Sequence, residues 1–135
     1  MANGFYTKGL ENMCSAGFNW TVDDFRIFFC DHGVDVPNTA TDDALDDITG
    51  GAVIATSPAL SGKTNTGGVL DASDPTFSAV TGASFESATI YKHTGTPSTS
   101  KLWGYWDTIT GLPFTPTGID VLFIFDNGAN KVMAP

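Results

Sequence analysis

Glutamate is almost missing from this chain of 135 residues: Glu11 and Glu86 stand against thirteen aspartates. Lysine and arginine are nearly as scarce, six in all and never in a run, so the net charge is −9. A groove that tracks nucleic-acid phosphates needs clustered basic side chains, and so does attraction to an anionic membrane surface. Neither is expected here. No apolar run approaches the roughly 18 residues a membrane-spanning helix requires. Cysteine is limited to Cys14 and Cys30, which do not make a disulfide framework. The opening MANGFYTKGLENM lacks the basic-then-apolar plan of a signal peptide. Reduced thiols and synthesis in a cytoplasm are therefore expected, with the sequon Asn19-Trp20-Thr21 a chance occurrence.

What the chain does contain is threonine (18), glycine (15), phenylalanine (10) and serine (9). Threonine and aromatics suit strands, while Gly, Asp, Asn and Pro suit turns. A hydrophobic content of 41% argues against wholesale disorder. Helix bundles and coiled coils do not fit this composition.

Two segments read as strong strands. Phe25–Cys30 places Phe25, Ile27 and Phe29 on one face and Arg26, Phe28 and Cys30 on the other. Ile119–Phe125 places Ile119, Val121, Phe123 and Phe125 on one face and Leu122 and Ile124 on the other. Both carry apolar groups on each side, so each should be covered twice, by the chain itself or by a neighbour. Weaker strands are expected at 52–56, 60–66, 69–71, 76–80, 85–92 and 102–106, with a last one at Lys131-Val132-Met133 after the turn Asp126-Asn127-Gly128. One or two helical turns fit 6–13, and Thr41-Asp42-Asp43 could open another through Ile48. The expected fold is all-β: an antiparallel β-sandwich or barrel-like fold of about eight short strands with at most one or two short helices. Residues 1–20 read as an N-terminal arm or short helix, and 21–135 as one β-sandwich domain.

No motif for chemistry survives inspection. Gly62-Lys63-Thr64 ends like a phosphate loop, but Ser57 stands where the first glycine belongs. Gly82-Ala83-Ser84-Phe85-Glu86 has Glu86 in place of the second glycine of a nucleophile elbow. His32 and His93 lack catalytic spacing. Asp42, Asp43, Asp46 and Asp47 lack a calcium-loop spacing and read as a solvated acidic loop. No catalytic, cofactor-binding or metal-binding residue is expected. An enzyme would need His32 or His93 brought beside a carboxylate and a nucleophile.

Seven stretches carry a family resemblance: Lys8-Gly9-Leu10-Glu11; Asp24 to Cys30; Ile54 to Thr64; Gly68 to Asp74; Ile90-Tyr91-Lys92-His93-Thr94-Gly95; Thr110-Gly111-Leu112-Pro113; and Asp126 to Lys131. In this order they resemble the small virion proteins of tailed bacteriophages described as capsid decoration or cement proteins. The resemblance implies a compact, β-rich, non-enzymatic protein without cofactors. It would be made in the host cytoplasm and sit on the outer capsid surface. The implied partners are the major capsid protein and further copies of the chain, as a trimer or a dimer. Phe5, Tyr6 and Phe114, taken to lie on exposed edges, are the candidate capsid or subunit contacts. A tail or head-fibre component is the first alternative. A carbohydrate-binding module is the second, with Trp103, Tyr105 and Trp106 as a stacking platform.

Overall fold

The computed structural model describes residues 4–125. Among them one five-stranded antiparallel sheet organises the chain. Its members are β1 (Gly4–Phe5), β2 (Phe25–Cys30), β3 (Val53–Thr56), β7 (Ser87–Lys92) and β8 (Leu102–Trp106), in the order β1-β8-β7-β2-β3. Two small antiparallel ladders join β4 (Thr64–Thr66) to β5 (Val69–Asp71) and β6 (Thr76–Phe77) to β9 (Val121–Leu122). One short helix, α1 (Thr7–Cys14), completes an all-β architecture of nine strands among the described residues. Among the described residues the strands outside this sheet belong to the two separate ladders.

β2 forms where its alternation says it should. Phe25, Ile27 and Phe29 enter a cluster with Leu60, Leu70, Phe77, Phe85, Phe123 and Phe125. Phe28 and Cys30 enter a second cluster on the opposite face, with Tyr6, Ile48, Ala52 and Tyr105. Phe29 is held between two rings, with centroids 4.1 Å from both Phe77 and Phe85. The chain thus covers both faces of β2 by itself, and no neighbour is needed there.

β7 departs from expectation. Its alternation reads as a half-buried strand, yet Ser87, Ala88, Thr89, Ile90 and Tyr91 are all buried. The strand sits between β2 and β8, which pair both its edges, and its faces are covered by the two clusters, Ala88 and Ile90 in the first and Tyr91 in the second. Its hydroxyls survive burial because each has a partner: Thr89 Oγ1 lies 2.8 Å from Tyr6 Oη, and Ser87 Oγ 2.8 Å from His32 Nε2.

β8 carries a bulge. Ile90 pairs with Gly104 but Tyr91 pairs with Leu102, so Trp103 is the extra residue. The bulge breaks the period of two. Trp103 and Trp106 turn to the first cluster, whereas Leu102 and Tyr105 turn to the second. Simple alternation along 102–106 would put Trp103 and Tyr105 on one face, and the bulge separates them.

Residues 4–20 do not stand apart as an arm. β1 pairs with β8, Tyr6 N donates to Trp103 O at 2.9 Å, and Trp20 lies in the first cluster. Gly9 fixes the docking of α1, because a Cβ there would fall 2.7 Å from Leu102 O and 2.8 Å from Trp103 Cα. The acidic stretch forms a single 3-10 turn at Leu45–Asp47, shorter than the helix expected from Thr41. The strand expected at Lys131-Val132-Met133 and the turn before it lie outside the described residues.

Candidate functional site

The aspartates have a definite use. Eight of them accept hydrogen bonds from backbone N–H groups: Asp23 from Asn19, Asp31 from Gly33, Asp35 from Thr49, Asp42 from Asn38, Asp47 from Asp43 and Ala44, Asp71 from Ala72, Asp74 from Phe125, and Asp120 from Ala79. A short side chain reaches a nearby backbone donor where glutamate would overshoot, which gives the Asp-over-Glu composition a physical reason. The two N–H donors hold the Asp47 carboxyl below its ordinary value. Burial pushes Asp42 upward instead, and the Asn38 N–H only partly offsets it. Among the described residues no group of three or more His, Cys, Asp or Glu side chains is gathered to hold a metal ion.

The three candidate contact residues do not share one environment. Tyr6 corrects the expectation of an exposed edge: its side chain is fully buried and its hydroxyl meets Thr89. Burial raises the Tyr6 phenol well above its ordinary value. A surface contact through this ring is ruled out in this fold. Phe5 and Phe114 are half-buried, both against the first cluster. Phe114 stacks on Phe85 at 5.4 Å, and the two residues exchange backbone hydrogen bonds of 3.0 Å.

The expected stacking platform is also corrected. Trp103 is 2% exposed and Tyr105 1%, and the bulge places them on opposite faces of the sheet. Trp106 is half-buried and tilts at 53° against Phe123. None of the three presents a free coplanar partner to a sugar ring. Trp103 lies instead among Phe18, Phe25 and Trp20, at 4.9, 5.2 and 5.9 Å. Its buried Nε1 has no hydrogen-bond partner among the described residues. A cavity of about 440 Å³ opens beside it, lined by Trp103 with Phe18, Asn19, Trp20, Asn65 and Leu70 among others. Trp20, Leu70 and Trp103 are each buried, so little of their surface faces the cavity.

One constellation escaped sequence reasoning. His32 Nε2 lies 2.8 Å from Ser87 Oγ and 3.4 Å from Tyr105 Oη, and Tyr105 donates to Asp107 Oδ2 at 3.4 Å. The His32 backbone N–H donates to Glu86 Oε1 at 2.9 Å. Ser87 and His32 have the separation of a nucleophile and its base. Ser87 is nevertheless 0% exposed, so its oxygen is sealed from any substrate. The network satisfies the Ser87 and Tyr105 hydroxyls and ties His32 to β7 and β8. Burial pushes the Tyr105 phenol up to about 12 and the Cys30 thiol to about 12, so both stay protonated at neutral pH. Only pairing across strands shows this cluster, because its members are 55 and 73 residues apart.

The remaining sequence signals resolve as struts. Lys63 donates to Asp23 O and lies 5.8 Å over the Trp20 ring and 5.4 Å over Phe25. Ser84 Oγ bonds Thr115 Oγ1 at 2.7 Å on the surface. Cys14 is exposed and Cys30 buried, both as free thiols. Among the described residues no helix is long and apolar enough to cross a membrane. No protein-family model matches the chain, and no curated protein matches it at a significant level.

Proposed function

We propose that this chain is a non-enzymatic structural protein of a bacteriophage virion, which binds the outside of the capsid and holds neighbouring capsid subunits together. The observation that carries the reading is the ordered series of stretches, from Lys8-Gly9-Leu10-Glu11 onward, that resembles capsid decoration proteins. The net charge of −9 supports an outer position, since an inward-facing copy would meet packaged phosphates of the same sign. The antiparallel β-rich fold is of the kind the resemblance implies.

The mechanism is additive. Each copy buries a modest interface on the major capsid protein and bridges two subunits, so its contacts reinforce one another through effective concentration. Decoration at local symmetry axes calls for a symmetric oligomer, a trimer or a dimer. Phe5 and Phe114 remain candidate contacts, each with part of its ring outside the core. The test is co-sedimentation of the purified chain with expanded heads that lack it. Saturable binding, with heads made more resistant to heat and chelators, is the expected result. Heads that neither bind the chain nor gain resistance overturn the proposal.

A further inference from the structure

The loop that follows β2 carries apolar side chains on its outside. Val34 and Val36 are each 51% exposed, whereas Asp35 between them is half-buried and Pro37 is buried. Bonds from within hold the loop. Val34 N and Asp35 N both donate to Asp31 O at 3.1 Å, Asp31 Oδ1 accepts the Gly33 N–H at 2.8 Å, and Asp35 O accepts the Cys30 thiol at 3.3 Å. The backbone and ring of His32 tie the same loop to Glu86 and Ser87. Asp35 Oδ2 accepts the Thr49 N–H at 2.8 Å, which brings the 3-10 turns Leu45–Asp47 and Gly50–Ala52 alongside. Gly51 is exposed there, and a Cβ on it would lie 3.9 Å from Val34 Cγ1. Two neighbouring apolar side chains kept in water on a loop already in order can be covered by a partner at little ordering cost.

The charge at this surface says which partner fits. Residues 31–52 hold Asp31, Asp35, Asp42, Asp43, Asp46 and Asp47 and no lysine or arginine. Asp31 and Asp35 belong to the loop itself. Burial is the main cause that raises the Asp42 carboxyl, and the charges of Asp47 and Asp35 raise it further, so these three carboxylates stand close together. Among the described residues the ion pair that reaches this stretch is Lys101 with Asp43, at 2.8 Å. Like charge gathered around the valines is relieved by a cationic partner, and a second copy of the chain would add to it. We propose that the Val34–Val36 loop is a docking surface for a segment of a partner protein that sets apolar side chains between lysines or arginines. The valines fix where the segment docks, and the aspartates fix the charge it carries. Such a partner need not belong to a capsid.

The probe is a short fluorescein-labelled peptide with leucine and valine between paired lysines, read by anisotropy at low salt. Any acidic protein attracts such a peptide weakly, so the substitutions decide. The double variant Val34→Ser with Val36→Ser keeps the charge and should lose about tenfold in affinity. Serine in place of the peptide's leucine and valine should cost about tenfold as well, and glutamate in place of its lysines about tenfold or more. Amide resonances of the unmodified protein supply a readout that needs no variant: those of 33–36 and 49–51 should shift when the peptide is bound, and those of the 64–71 hairpin should not. Absence of binding, equal binding by the double variant, or shifts confined to other parts of the chain overturns the proposal. So does sedimentation showing dimers that the double variant disperses, which would give the surface to a second copy.

Discussion

Asp47 shows how single side chains hold this molecule. Its carboxylate caps two backbone donors, those of Asp43 and Ala44. Losing such a cap costs about 1 kcal/mol, which is the expected effect of Asp47→Ala in urea titrations at pH 6. The folded state lowers the Asp47 pKa, so the ionic part of this stabilisation is present above the unfolded carboxylate value and is lost as pH falls through the folded one. Asp23 has the same sign: burial works to raise it, but the Asn19 N–H and Lys92 outweigh burial. Asp42 has the opposite sign, so its cost at neutral pH disappears on acidification. The gap between the parent and Asp47→Ala should therefore narrow toward pH 3, and a gap independent of pH would contradict the assignment. Gly9 is constrained differently, by space. Gly9→Ala drives a Cβ into the backbone of Leu102 and Trp103. It should destabilise by about 1–3 kcal/mol in thermal or denaturant unfolding, with altered tryptophan near-UV dichroism.

At the scale of elements, β2 was legible in full because its two apolar faces both serve the core. The three-ring stack at Phe29 is its centre, so Phe29→Ala should cost about 3–5 kcal/mol. Ile124→Ala, outside the core, should stay within about 0.5 kcal/mol in the same unfolding assay. A loss at Ile124 comparable to that at Phe29 would contradict the placement of Ile124 on the outer face of 119–125. β8 was legible in extent but not in facing, because a bulge follows from how a strand meets its neighbour and leaves no local sequence mark. The same limit hid the burial of Ser87 and Thr89. Their hydroxyls look like a wet face until His32 and Tyr6 arrive from distant parts of the chain. Tyr6 was misplaced for the same reason, since its burial depends on β1 pairing with β8.

For the whole molecule, the structure narrows the question of a neighbour. The apolar excess that suggested shared burial is absorbed at β2 by two internal clusters. It remains at Ile119, Leu122 and Ile124, which are exposed among the described residues. The aspartates that give the chain its charge also clamp its turns, so acidity and loop order are coupled in one residue type. Under the proposed role the chain is a building block that meets the capsid through its surface. Immunogold labelling of intact particles of the phage that the proposal implies, imaged by electron microscopy, tests the proposed virion role most directly. Label spread over the capsid at repeated lattice positions is the predicted result. Label confined to the tail or one vertex, or absent from the particle, would contradict it.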